Sequence, residues 1–139
     1  MTRVKICCIS SIAEANMAVK YGASALGLVS EMPSGPGVIT EAMIAAIAES
    51  VPPGISTFLL TSKQSTEEII EQQKRCGTNT IQLCDRLSAG DHRILRKSLS
   101  GIKIVQVIHV TGDESLREAR EISADVDAIL LDSGNQKLA

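Results

Sequence analysis

The chain has 139 residues, and its 14 Lys and Arg against 16 Asp and Glu give a net charge of −2. Hydrophobic residues make up 44% of it, which is enough for a packed core and excludes a disordered chain. The balanced charge and the single Tyr and Phe, without Trp, disfavour a nucleic-acid partner, because such a partner calls for basic patches and stacking platforms. The sequence has no apolar run of membrane-spanning length and no signal-peptide layout at its start. We therefore expect a single cytoplasmic domain over residues 1–139 with no membrane partner.

Short aliphatic and β-branched runs recur along the chain, with helical stretches between them. They predict strands at residues 4–9, 25–30, 54–61, 80–85, 103–110 and 128–132. The first residues of these strands lie 21, 29, 26, 23 and 25 positions apart, which is the period of a βα unit. Strict alternation of strand and helix requires parallel strands with right-handed crossovers. The nearly continuous apolar runs are typical of parallel strands covered on both faces.

Capping patterns predict where the intervening helices begin and end. A hydroxyl residue followed three positions later by an acid indicates a helix start, as in Ser11 with Glu14, Ser65 with Glu68, Thr111 with Glu114 and, more weakly, Ser88 with Asp91. Thr40 is predicted to cap a helix that runs through Ala48, and Gly22 and Gly77 stand where helix C-caps belong.

Six such units fit either an open doubly wound sheet or most of a (β/α)8 barrel. Length favours the open sheet, since barrels take about 250 residues. The motifs oppose it, because a dinucleotide-binding sheet needs G-x-G-x-x-G after its first strand, where this chain has Cys8-Ile-Ser-Ser. A phosphorelay receiver needs acidic residues at the same place. No motif predicts a cofactor, and the cysteines (Cys7, Cys8, Cys76, Cys84) lack the paired spacing of a metal site, so we expect reduced thiols.

Two short motifs carry a resemblance to a known family. Val4-Lys5-Ile6-Cys7 opens the first strand and Leu131-Asp132-Ser133 closes the sixth, and together with the first helix and second strand they resemble phosphoribosylanthranilate isomerase of tryptophan biosynthesis. The resemblance implies a (β/α)8 TIM-barrel fold of which this chain supplies about six βα units. It also implies an isomerase that converts N-(5′-phosphoribosyl)anthranilate to 1-(2-carboxyphenylamino)-1-deoxyribulose 5-phosphate, a small phosphorylated substrate.

In that Amadori rearrangement an acid protonates the ribose ring oxygen, a base removes the C2 proton, and the enolamine becomes a ketone. By resemblance Cys7 is the general base and Asp132 the general acid. Strand parity places Lys5 and Cys7 on one face of their strand. Other interpretations are that Cys7 is a small buried hydrophobe and that Asp132 caps a loop.

The chain departs from the family pattern at several positions. Cys8 replaces the glycine that usually follows K-I-C, and Gly37 aligns with an Arg that pairs with the anthranilate carboxylate in many members. Cys84 replaces a His on strand four. We predict that Lys5, Gln82 and His109 bind substrate, with His109 supplying the missing positive charge. Alternatively, His109 forms a hydrogen bond at the loop entrance and Gln82 is structural.

The family continues past Asp132 with two further units that hold the substrate phosphate, whereas this sequence reads six residues beyond Ser133. We expect a six-stranded array to leave two unpaired edges and so to form a homo-oligomer, or to be a fragment of a longer protein. The alternative functions are an inactive truncated barrel and a module that binds small anions.

Overall fold

The computed structural model describes residues 1–133, in which six strands alternate with five helices. The expectations for the chain after Ser133 lie outside the described residues. The strands are β1 (Lys5–Ile6), β2 (Ala25–Val29), β3 (Ser56–Thr61), β4 (Thr80–Leu83), β5 (Lys103–His109) and β6 (Ala128–Asp132). The helices are α1 (Ile12–Lys20), α2 (Glu41–Ser50), α3 (Thr66–Cys76), α4 (His92–Ser98) and α5 (Asp113–Ile122).

All six strands are parallel and lie in the sheet in the order in which they occur in the chain. This is the arrangement of consecutive βα units in a barrel, and it confirms the predicted incomplete (β/α)8 fold rather than the open doubly wound sheet. β1 is much shorter than predicted. Its pairing stops before Cys8, which has a φ of +62°, because a left-handed residue cannot continue an extended strand.

Alternate residues of each strand form the two faces of the sheet. The outer face carries fully buried aliphatic residues that pack under the helices, such as Leu26, Leu59 and Ile81. Ile44 of α2 and Leu95 of α4 belong to the same two apolar clusters. Burying a side chain of this size contributes about 2 kcal/mol, so this layer holds the units together.

The inner face is curved, and one contact demonstrates it. The ammonium of Lys5 on β1 donates a hydrogen bond to the side-chain oxygen of Gln82 on β4. In a flat sheet these strands would be about 14 Å apart, since neighbours are spaced about 4.8 Å. Two side chains meet across that span only because the sheet curls into part of a barrel.

The helix starts follow the predicted capping residues at some places and not at others. Ser11 and Thr40 cap α1 and α2 as predicted, and α2 continues to Ser50 rather than ending at Ala48. Ser65 is the N-cap residue of α3 as predicted, but the predicted box does not form, since the Ser65 side chain makes no cap hydrogen bond. The N–H of Thr66, the first residue of α3, donates to the backbone oxygen of Ala89. Among the described helices, none is long and apolar enough to span a membrane.

The other predicted boxes also differ in detail. The carboxylate of Glu14 accepts from the N–H and hydroxyl of Ser10 rather than from Ser11. Gly112, not Thr111, is the N-cap of α5, and Asp91 itself caps α4 through the N–H of Ile94. Gly77 ends α3 in the left-handed conformation, as predicted.

Candidate active site

The carboxyl ends of the six strands lie along one edge of the curved sheet, where parallel strands of a barrel present their chemistry. Cys7 follows β1, Cys84 follows β4, and His109 and Asp132 are the last residues of β5 and β6. The sheet register pairs His109 directly with Asp132. The predicted pair Cys7 and Asp132 therefore lies at the same end of the sheet, at the ends of its first and sixth strands.

The side chain of Cys7 lies on the inner face against Gly27 of β2. A Cβ built on Gly27 would lie 2.8 Å from the sulfur of Cys7 and 3.1 Å from its Cα. Only a residue without a side chain leaves room for the thiol, which explains a glycine within an otherwise apolar strand. Cys7 is exposed, so its thiol is open to solvent and to a ligand.

Asp132 has two distinct neighbours. One carboxylate oxygen, Oδ1, accepts a hydrogen bond of 2.8 Å from the N–H of Ser133. The other, Oδ2, lies 3.4 Å from Nδ1 of His109. The second ring nitrogen of His109, Nε2, is 3.2 Å from the backbone oxygen of Cys84. His109 thus connects the ends of β4, β5 and β6.

Lys5 and Gln82, both predicted to bind substrate, contact each other deeper on the inner face. The Lys5 ammonium also lies 4.7 Å from the centre of the Phe58 ring, which supplies a cation–π contact. The amide nitrogen of Gln82 is 3.8 Å from the sulfur of Cys84. Burial is the main cause that raises the pKa of the Cys84 thiol, and the hydrogen bond from Gln82 opposes it without cancelling it.

Cys8 and Gly37 contact each other, although the sequence presents them as two separate departures from the family pattern. A Cβ at Gly37 would lie 2.5 Å from the Cβ of Cys8, and the Cys8 sulfur lies 3.5 Å from the backbone oxygen of Pro36. The Cys8 side chain therefore occupies the space that a side chain at position 37 would need. The backbone of Cys8 contributes to the same crowding, since its Cα would lie 2.9 Å from a Cβ at position 37.

Sequence reasoning missed Gly27 and Phe58, the neighbours of Cys7 and Lys5. An isolated glycine inside a strand was the available signal for Gly27, because it marks a close approach of another group. Within residues 1–133, no group of three or more His, Cys, Asp or Glu side chains is arranged to hold a metal ion.

Comparison with known proteins finds no matching family model. Curated relatives do match almost the whole chain. One N-(5′-phosphoribosyl)anthranilate isomerase, from Methanosarcina mazei, is 31% identical over 132 residues, covering 94% of this chain and 58% of the relative. Another, from Halorubrum lacusprofundi, is 31% identical over 134 residues, covering 96% and 61%.

The solved structures to which the chain is similar include structures of the same enzymes. Phosphoribosyl anthranilate isomerase from Thermotoga maritima superposes with a TM-score of 0.78 at 25% identity, covering 95% of this chain and 62% of that one. A phosphoribosyl anthranilate isomerase in complex with reduced 1-(o-carboxyphenylamino)-1-deoxyribulose 5-phosphate gives the same score and identity, covering 95% and 65%. The chain is a homologue of the phosphoribosylanthranilate isomerases. It spans about three fifths of the length of those curated relatives.

Proposed function

We propose that this chain carries the acid–base pair of a phosphoribosylanthranilate isomerase and takes part in the Amadori rearrangement of N-(5′-phosphoribosyl)anthranilate. The observation that carries the proposal is the position of Cys7 and Asp132, one directly after the first strand and one at the end of the sixth, at the same end of one curved sheet. A ring-opening acid and a C2 base act on different atoms of a small sugar phosphate. An acid and a base supplied by separate strands of a barrel can reach these different atoms at the same time.

Cys7 is the proposed base. Two thiols, those of Cys7 and Cys84, stand at strand ends that face the interior. Burial raises the pKa of Cys84 and so keeps it in the neutral thiol form, whereas Cys7 is exposed. The contact with Gly27 fixes the Cys7 side chain on the inner face, where it can reach a ligand bound within the curve of the sheet.

Asp132 is the proposed acid, and Lys5 and Gln82 are proposed to contact the substrate. The Lys5 ammonium is held on the inner face by Gln82 and Phe58, so it is directed into the interior instead of toward bulk solvent. A fixed ammonium there favours an anionic ligand, in keeping with a phosphorylated substrate. We assign His109 a different role below.

Turnover of phosphoribosylanthranilate tests the proposal, followed by the loss of anthranilate-type fluorescence and corrected for spontaneous decay of the substrate. We expect turnover above that background, reduced to background in Cys7→Ala and in Asp132→Asn. Cys76→Ala and Asp127→Asn are matched controls, since they change the same residue types outside the inner face and should retain activity. Full activity in either Cys7→Ala or Asp132→Asn would refute the assignment, and a folded, inactive wild-type chain would refute the activity itself.

We also propose that copies of the chain associate through the two edge strands. Within residues 1–133, β1 pairs only with β2 and β6 only with β5. Ile6 and Leu131, on these strands, are 41% and 67% exposed, and unpaired edges with apolar residues recruit other strands. We expect sedimentation equilibrium to show oligomers that weaken in Leu131→Lys and persist in the control Met43→Lys. A monomer at every concentration would contradict this.

A further inference from the structure

The contacts of His109 define where its hydrogen lies. Its Nε2 faces the backbone oxygen of Cys84 at 3.2 Å, and a carbonyl oxygen only accepts hydrogen bonds. Nε2 must therefore be the protonated nitrogen of the ring. In the neutral imidazole, Nδ1 then carries no hydrogen, and it lies 3.4 Å from Oδ2 of Asp132.

Neither atom can donate to the other while both are unprotonated, so at 3.4 Å the contact becomes attractive when one of them carries a proton. The proton is on Oδ2, donated to a neutral His109, or on Nδ1 of an imidazolium that faces a carboxylate. The other oxygen of Asp132 already accepts from the N–H of Ser133, which favours the unprotonated form at Oδ1. The proton of the pair is thereby directed to one oxygen.

We infer that His109 is a positioning residue that shares one proton with Asp132 and keeps it at Oδ2, an inference that rests on the proposed function for its catalytic meaning. When Oδ2 gives its proton to the ribose ring oxygen, the pair is left as a carboxylate and a neutral imidazole with its hydrogen still on Nε2. Solvent returns a proton to the pair, while the C2 proton taken by Cys7 is released in the same turnover, so the isomerisation consumes none. The exposed fractions of the two side chains, 41% for His109 and 53% for Asp132, leave that route to solvent open.

The register of the sheet makes this pairing a consequence of the fold. His109 and Asp132 are direct partners in the β5–β6 ladder, and the N–H of Val110 donates to the backbone oxygen of Asp132 at 2.8 Å. The hydroxyl of Ser115 in α5 donates to the backbone oxygen of His109. The two backbones are therefore fixed, and only the side-chain torsions remain to bring Nδ1 and Oδ2 together.

The first test uses nitrogen-15 NMR of the histidine rings and needs no activity. We expect the Nδ1 resonance of His109 to move toward the position of a free acceptor nitrogen in Asp132→Ala, while its Nε2 resonance, held by the Cys84 carbonyl, stays in place. Asp127→Asn is the control, and it should leave both resonances unchanged. An Nδ1 resonance that does not respond to the loss of Asp132 would overturn the shared proton, whatever the enzyme assay shows.

The second test separates the two ring nitrogens by substitution. The side-chain amide introduced by His109→Asn stands near the position of Nδ1, whereas the longer one introduced by His109→Gln stands near that of Nε2. If His109 positions Asp132, His109→Gln lowers kcat by at least roughly tenfold with little change in KM, and His109→Asn retains more of kcat. A raised KM with unchanged kcat would instead make His109 a substrate-binding residue and overturn the inference. An inactive wild type with the expected NMR response would refute the proposed function and leave the proton-sharing pair standing.

Discussion

Gly27→Ala tests the packing of the candidate base. The new methyl group would lie 2.8 Å from the Cys7 sulfur, where carbon atoms normally approach to about 3.5–4.0 Å. Gly27 cannot move away easily, because β2 is paired on both sides and the N–H of Ile9 donates to the Gly27 oxygen. Overpacking of this kind costs about 1–3 kcal/mol, offset by about 0.5–1 kcal/mol from replacing glycine. We expect a net loss of about 1–2 kcal/mol in the free energy of unfolding.

Urea unfolding followed by far-UV circular dichroism measures this loss, since the chain has no Trp and one exposed Tyr. For a slope of about 2 kcal/mol per molar urea, the middle of the usual range for small proteins, the midpoint should fall by roughly 0.5–1 M. Repeating the change in a Cys7→Ala background removes the sulfur and leaves 3.1 Å to Cα as the closest approach, so the cost should fall by about half or more. An equal cost in both backgrounds would refute the packing of Cys7 on Gly27.

Three further predictions concern stability. Cys8→Gly should raise the free energy of unfolding by about 1 kcal/mol, because it relieves a φ of +62°, whereas Cys8→Ala should not; chemical denaturation of both tests this. Burial raises the pKa of Asp127, but the Ile104 N–H and the cations Lys103 and Arg96 outweigh burial, so the pKa is lowered. The ionised carboxylate therefore stabilises the fold above about pH 4, and this stabilisation is lost as pH falls through the lowered pKa. Thermal melts of Asp127→Asn should lack that acid dependence. Gln72→Leu removes the acceptor of the buried Thr61 hydroxyl, which donates to the Gln72 side-chain oxygen at 2.7 Å. The substitution should lower the free energy of unfolding by about 1–3 kcal/mol, and a melting temperature equal to wild type would contradict this.

The strands could be predicted from the sequence because each carries its own apolar run and its own helix start. The end of β1 could not, since it depends on the left-handed backbone at Cys8, and cysteine is not a residue that signals such a turn. The helix start at Ser65 was predictable, whereas the contact of this turn with Ala89 was not. Ala89 belongs to a different loop, which local sequence patterns do not connect with Ser65.

For the candidate site, the sequence predicted which residues face the interior but not how they meet. Cys7 and Asp132 came from the resemblance, and parallel topology requires that both stand at the carboxyl ends of their strands. The contact of His109 with Asp132 depends on the β5–β6 register, which no single segment specifies. The contact of Lys5 with Gln82 depends on the curvature of the whole sheet.

That last contact bears on how the molecule assembles. Because strand order follows chain order, each βα unit packs on the unit made just before it, and such an array can grow stepwise with little loop-closure entropy. The bond between Lys5 and Gln82 is different, since it joins residues 77 positions apart and skips two strands. It can form only after four strands are in place, so the stability of the short first strand is coupled to that of the fourth. The array, which is otherwise built like a repeat protein, thereby acquires a long-range contact that makes its unfolding more cooperative.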